Sequence, residues 1–372
     1  MIAGAPVMAK PSVERLPENN FDFLRFVLAS LVVFSHSFPI GTGTEAFEPL
    51  ALATKGQLTF GGLAVDAFFV ISGFLILHSW QARPEVGAFL RKRVLRIYPA
   101  FLVVAVLDAF LIAPLYAGGT SPPIDFAFVG RFIVNALRLE AITPGPSFIG
   151  NPAEGTVNGS LWSISYEFWC YLGILVLGLV GLAGRRWLLA CGLVLFVVVS
   201  FVFAWRHLTP GGRWLGQIFG YPPFWARLLP FFIAGMAFHA WRDRLVLNAK
   251  GAAVAAVALV IGAQLPYGLS LVLPIASAYI IFWLAFLPAP RLSTFARRGD
   301  LSYGIYLFSF PILQILVHHA GAPMPPWLLF MVGWPISIAA AALSWTFVER
   351  HCINLGRGAR TTQRGAAAAA SG

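Results

Sequence analysis

Within the apolar run FDFLRFVLASLVVFSHSF, residues 21–38, Arg25 and His36 stand eleven positions apart. At about 100° per residue that interval closes three turns with about 20° to spare. The two side chains therefore share one helix face, roughly 16 Å apart along its axis. An imidazole can take up and return a proton near neutral pH, which makes His36 a candidate catalyst. Two carboxylates also sit inside apolar runs, Asp66 in FGGLAVDAFFVISGFLI and Glu167 in GSLWSISYEFWCY. A fourth group is cationic: FLRKRVLRIYP, residues 89–99, packs Arg91, Lys92, Arg93 and Arg96 into two turns of chain. If this stretch is helical, Arg93 and Arg96 share a face. Guanidinium groups so clustered suit the oxygens of phosphates, which they grip in bidentate fashion.

The elements that carry these residues follow from composition. Of the 372 residues 58% are hydrophobic and only 11% charged, with a mean hydropathy of +0.77. A soluble domain carries about 25% charged residues, so lipid must be the solvent for most of this chain. The net charge of +11 is not laid out as a basic patch interleaved with exposed aromatics, so no nucleic-acid partner is expected. It reads as loop charge that orients the chain and draws it to anionic headgroups. Cys170, Cys191 and Cys352 are widely spaced and odd in number, which makes neither a disulfide framework nor a metal site.

About 20 apolar residues cross about 30 Å of hydrocarbon. Ten stretches qualify: 21–40, 60–80, 97–116, 162–183, 187–205, 224–241, 251–267, 270–287, 301–319 and 327–348. The expected fold is all-α, a polytopic membrane protein of about ten transmembrane helices. Its seventh and eighth spans should close as a tight hairpin around Gln264-Leu265-Pro266-Tyr267-Gly268. Residues 124–142, with Arg131, Arg138 and Glu140 at helical spacing, read as an interfacial amphipathic helix. An even span count puts both termini on one side, and a cytosolic N-terminus leaves most of the 26 Lys and Arg residues in cytosolic segments. Three regions result: a cytosolic lead-in, 1–20, without the apolar segment of a cleaved signal; a membrane domain, 21–350; and a low-complexity cytosolic tail, 351–372, expected to be disordered.

In this topology Arg25 lies near the inner boundary and His36 roughly 22 Å into the core. Asp66 and Glu167 reach a similar outer level, while the Arg91–Arg96 cluster stays inside. Each ionisable group at membrane depth costs about 2.5–3.5 kcal/mol to insert, so such groups usually face protein or water. Singly, each has a plainer account. Arg25 can snorkel, His36 can bond a neighbouring helix, Asp66 and Glu167 can cap helices, and the cluster can be topology charge alone. Asp108, in the third span, has no account at this level.

Together and in this order the segments resemble the acyltransferase-3 family of integral-membrane acyltransferases, bacterial enzymes that O-acylate extracellular glycans and related acceptors. FDFLRFVLASLVVFSHS matches the family's R-x10-H signature through Arg25 and His36, and AVDAFFVISGFLI follows with Asp66, Ser72 and Gly73. RKRVLRIYP matches its cytosolic arginine motif, GSLWSISYEFWCY its W-S-x-x-x-E block through Trp162, Ser163 and Glu167, and LSYGIYLFSFPI and FVERHCINL its late segments, including Glu349 and Arg350. The likeness runs from about residue 21 to 355.

What the resemblance implies is a catalytic His36 and a cytosolic acyl-CoA donor, acetyl-CoA in the usual case, held by Arg25, Arg91, Arg93 and Arg96. No permanently bound cofactor and no metal are implied. His36 would act as general base on an acceptor hydroxyl or form an acyl-histidine, with Glu167 or Asp66 orienting the imidazole. The acceptor would be a carbohydrate or a lipid-linked carbohydrate, reached from outside, with Trp205, Trp214, Tyr221 and Trp225 near the outer loops. The location would be the bacterial cytoplasmic (inner) membrane, among its lipids; the residues carry no sign of oligomeric state. The rival reading is a transporter or flippase for a glycan or acyl donor, since charges in membranes often mark transport paths. Against it, no pair of interrupted helices recurs in corresponding halves.

Overall fold

The computed structural model describes residues 16–119, 123–209, 219–295 and 299–355. The start of the lead-in, Trp214 and nearly all of the tail lie outside the described residues. Among the described residues every regular element is helical. The long ones are α1 (Phe21–Thr42), α2 (Phe60–Ala82), α3 (Val86–Leu107), α4 (Phe126–Leu137), α5 (Trp162–Leu179), α6 (Arg186–Trp205), α7 (Pro222–Ala240), α8 (Ala249–Gln264), α9 (Gly268–Ala285), α10 (Ser302–Ala320) and α11 (Pro326–Ser344). Two π-helical turns extend the set, Asp108–Ile112 after α3 and Trp345–Glu349 after α11.

Each of the ten expected spans coincides with one of these helices. Helices α1, α2, α3, α5, α6, α9 and α11 are long and apolar enough to cross a membrane. The other three are α7 and α10, of 19 residues each, and α8, of 16. The chain is an all-α polytopic membrane protein. Inside lipid the backbone must satisfy its own polar groups, which is why apolarity on this scale resolves into helices. Prolines lie within α1, α3, α7, α9, α10 and α11, as membrane helices tolerate.

The chain divides into two compact units. The first holds residues up to Ser35, Thr44–Pro84 and Ser165–Arg297. Here α7 packs on α2, α6 and α9, and α8 pairs with α9 through the expected tight turn, with Tyr267 at φ 57°. Polar caps start the helices: the Gly62 N–H donates to Thr59 Oγ1 at α2, and the Gly251 N–H to Asn248 Oδ1 at α8. The buried side chain of Asn20 donates to the carbonyls of Leu284 and Leu287, pinning the start of α1 to the end of α9. Arg186, opening α6, bonds the Asp243 carboxylate at 2.5 Å, and that hydrogen bond holds the Asp243 carboxyl below the usual carboxylate range.

Two glycines set how closely α2 and α7 cross. A Cβ on Gly73 would fall 2.0 Å from the Phe232 carbonyl oxygen, and one on Gly235 2.0 Å from that of Val70. Small residues at such crossings are how membrane helices gain packing contact without a hydrophobic driving force. Because the obstructing atoms are backbone, Gly73→Ala should destabilise by about 3 kcal/mol, the upper part of the usual overpacking range. A clear fall in the melting temperature of the detergent-extracted protein is expected. Gly173→Ala, with nothing within 4 Å of its Cβ, should leave that temperature unchanged.

The second unit holds His36–Gly43, Glu85–Ile164 and residues from Arg298 onward. Helix α10 pairs with α11 and touches α3. Helix α4 is capped by Asp125 and turns Phe128, Phe132 and Ala136 inward, with Phe110 against both phenylalanines at 5.8 and 4.9 Å. The opposite face exposes Phe126, Ile133, Val134 and Leu137. A helix of twelve residues thus stands within the stretch expected to be interfacial, with the exposed Arg131 beside its outer apolar stripe.

The third span starts earlier than its hydropathy indicates. Helix α3 begins at Val86, so Arg91, Lys92, Arg93 and Arg96 all lie on it.

Candidate active site

His36 lies in α1, half-buried, and the second unit builds its surroundings. Its Nδ1 is 3.5 Å from the hydroxyl of Ser160. The Phe310 ring of α10 meets the imidazole edge-on, centroids 5.2 Å apart. Ser160 is 1% exposed and held by its backbone on both sides. Its N–H donates to Asn158 Oδ1 at 3.1 Å, and its carbonyl accepts the Tyr306 hydroxyl. Tyr306 in turn meets the Ser163 hydroxyl at 2.7 Å.

Asn158 is clamped as firmly. Its Nδ2 donates to Asp108 Oδ2 at 3.0 Å and to the Leu307 carbonyl at 2.9 Å. Gly159 has no room for a side chain, since a Cβ there would fall 2.7 Å from the Phe310 ring. Further along the loop, Asn151 Nδ2 donates to the Gln314 carbonyl and Oε1, and Gln314 Nε2 to the Ala153 and Thr156 carbonyls. Residues 151–160 are therefore fastened to α10 along more than one turn. Asp108, which the sequence leaves without a role, is the carboxylate at the foot of this clamp.

The two carboxylates expected to orient the imidazole have other partners, both within the first unit. Asp66 is 2% exposed and accepts from Arg227 Nε at 3.2 Å; Arg227 also donates to the Gly62 carbonyl. Glu167 accepts from the Ser72 hydroxyl at 2.9 Å and the Tyr171 hydroxyl at 2.5 Å. Neither caps its helix. Among the described residues, the group within hydrogen-bond distance of the His36 ring is the Ser160 hydroxyl. Ser160 and Arg227 are partners that the sequence does not disclose. GSLWS does contain the serine, but nothing local distinguishes it from Ser163.

The cationic cluster resolves into distinct environments. Arg91 is half-buried and makes no ion pair with a described residue. Arg93 is buried with its guanidinium over the Phe89 ring, 4.6 Å from the centroid. Arg96 is held by two carboxylates, Asp300 at 2.5 Å and Glu349 at 3.4 Å. Asp300 also accepts from the N–H and hydroxyl of Ser302, where α10 begins, so Arg96 braces α3 against α10 and the π turn after α11. Arg25 pairs with Asp22 at 3.4 Å on the first turn of α1.

Residues 18–349 match the family model described as Acyltransferase domain. The chain is 29% identical to nodulation protein 10 of Rhizobium leguminosarum bv. viciae, covering 91% of this chain and 94% of that protein. It is 27% identical to the O-acetyl transferase of Shigella phage Sf6, over 89% and 95%, and 27% identical to acyltransferase MdmB of Streptomyces mycarofaciens, over 93% of both. No solved structure matches.

Proposed function

On the premise that the chain belongs to the acyltransferase-3 family, and so is a membrane O-acyltransferase, we propose that it moves an acyl group from cytosolic acyl-CoA to a carbohydrate hydroxyl outside the membrane. The observation that carries this reading is the setting of His36. The imidazole is half-buried and held against a loop fastened to α10.

In this reading the protein lies in the cytoplasmic membrane of a bacterium with both termini inside, the acyl group is acetyl, and the acceptor is a cell-surface glycan or its lipid-linked precursor. Arg91 and Arg93 hold the phosphates of the donor. Arg96, committed to Asp300 and Glu349, keeps α3 in place beneath them. Arg25 and His36 lie three turns apart on the same face of α1. The acceptor hydroxyl gives its proton to the imidazole while its oxygen attacks the thioester carbonyl. When the tetrahedral intermediate collapses, the carbon–sulfur bond breaks and the proton passes to the departing thiolate. The ester and free CoA leave on opposite sides.

Two measurements test it. Purified protein incubated with radiolabelled acetyl-CoA and a crude glycan fraction should transfer label to glycan; glycan movement without label would mean a carrier. Arg91→Ala should weaken acetyl-CoA binding about tenfold or more, the worth of one charge-assisted hydrogen bond, most visibly at low salt. Unchanged donor affinity in titration calorimetry would remove the phosphate role.

A further inference from the structure

We propose that Ser160 is the positioning residue of His36. Its hydroxyl accepts the Nδ1 proton of the imidazole, selects the tautomer with a free lone pair on Nε2, and so aims that nitrogen at the acceptor hydroxyl. This rests on His36 as the base and adds the group that makes it one.

The proton positions follow from the partners. Asn158 Nδ2 faces a carbonyl, Leu307 O, and a carboxylate, Asp108 Oδ2. Both accept, so the amide must stand with its nitrogen toward them and its oxygen toward the N–H of Ser160, as observed. The Tyr306 hydroxyl has one proton, spent on the Ser160 carbonyl, so Ser163 is the donor in the Ser163–Tyr306 contact.

These bonds leave Ser160 little freedom. Its N–H and carbonyl are both taken, its neighbour Gly159 lies under the Phe310 ring, and its side chain is buried. Among the described residues the hydroxyl is presented to one partner, Nδ1 of His36.

Of the two ways to share a proton across that contact, only one leaves a base. If Ser160 donated to Nδ1, the imidazole proton would sit on Nε2 and block it. With Nδ1–H donating to Oγ, Nε2 is open, and the imidazolium formed during attack keeps its Nδ1 hydrogen bond. A neutral hydroxyl in this place avoids burying a second charge beside the histidine in a low-dielectric site. The contact is long at 3.5 Å, and catalytic hydrogen bonds commonly shorten once substrate is bound. Asp108 and Tyr306 act through the loop, one orienting Asn158 and the other the Ser160 carbonyl.

The test is steady-state kinetics of the full chain in detergent or nanodiscs with acetyl-CoA and a glycan acceptor. Ser160→Ala should lower kcat about 10–100-fold, a part of the about 10²–10⁴-fold that general-base catalysis contributes, with the KM for acetyl-CoA and the melting temperature unchanged. Ser160→Thr, which restores the hydroxyl, should recover at least a third of wild-type kcat. If Ser160→Ala does not fold, Ser160→Cys, with a weaker acceptor of nearly the same shape, takes its place and should show the same kcat loss. A wild-type kcat in either folded variant, or a Thr variant no better than Ala, overturns the proposal. His36→Ala in parallel separates the two readings. If it is dead while the Ser160 variants are unaffected, the base stands and its positioning residue falls. If it is active, the base itself is lost.

Discussion

His36→Ala should abolish acyl transfer while the protein stays in the membrane and still binds its donor. General-base assistance contributes about 10²–10⁴-fold, and in the proposed reaction the imidazole also returns the proton to the leaving thiolate. A fall in kcat of at least about 10³-fold is therefore expected. The substitution removes a ring that meets Phe310 edge-on, so part of any loss could come from altered packing. His36→Gln separates the two causes: it fills much of the same space but has no group to take the proton, and it should be as inactive as the alanine variant. Donor affinity, read by titration calorimetry, should be unchanged in both because Arg91 and Arg93 on α3 are untouched. The wild-type rate should also fall on acidification, since a protonated imidazole cannot act as base. Retained turnover in either variant would remove His36 from the chemistry.

The helices were legible because hydropathy and backbone hydrogen bonding answer to the same solvent. Where lipid surrounds the chain, each apolar run of sufficient length becomes a helix, and the tight turn at Gln264–Gly268 could be read from its Pro and Gly. Hydropathy misplaced the start of α3 by eleven residues. Arg91, Lys92, Arg93 and Arg96 lower the local average, yet a helix needs only its own backbone to continue past them. The π turns at Asp108 and Trp345 leave no trace in composition, because packing against neighbours decides where one residue is inserted into a helical ladder.

The ionisable residues inside the apolar runs were legible in the sequence, and their pairings were not. His36, Asp66 and Glu167 stand out because ionisable groups in apolar runs are costly. Which of them meet is a matter of contacts between residues far apart in the chain. Ser160 reaches His36 across 124 positions and Arg227 reaches Asp66 across 161, and no local period records either. Arg96 shows the same limit. The sequence groups it with its neighbours on α3 as a phosphate ligand, and its carboxylate partners lie 204 and 253 positions away.

The Asp66–Arg227 pair carries an expected effect on stability as large as that of Gly73→Ala. Asp66 lies inside α2 at 2% exposure, and its partner projects from the start of α7 with its side chain 37% exposed. Arg227 donates to the Asp66 carboxylate and to the Gly62 carbonyl of the same helix, so it joins α2 to α7 at two points. Deleting one member of a buried pair costs more than the pair contributes, because the survivor is left without its counter-charge. Arg227→Ala should destabilise by on the order of 3 kcal/mol, the low end of that class because the guanidinium is only part-buried. Asp66→Asn should cost less: the amide oxygen can still accept from Arg227 Nε, and the charge left over is on the more exposed partner. The double variant Asp66→Asn with Arg227→Met should be more stable than Arg227→Ala alone, since no charge is stranded. Melting temperatures of the four proteins in one detergent decide the matter. Equal temperatures for Arg227→Ala and the double variant would show that the buried carboxylate does not depend on its arginine. If the double variant folds but has lost transfer activity, the pair serves catalysis as well as the crossing of α2 and α7.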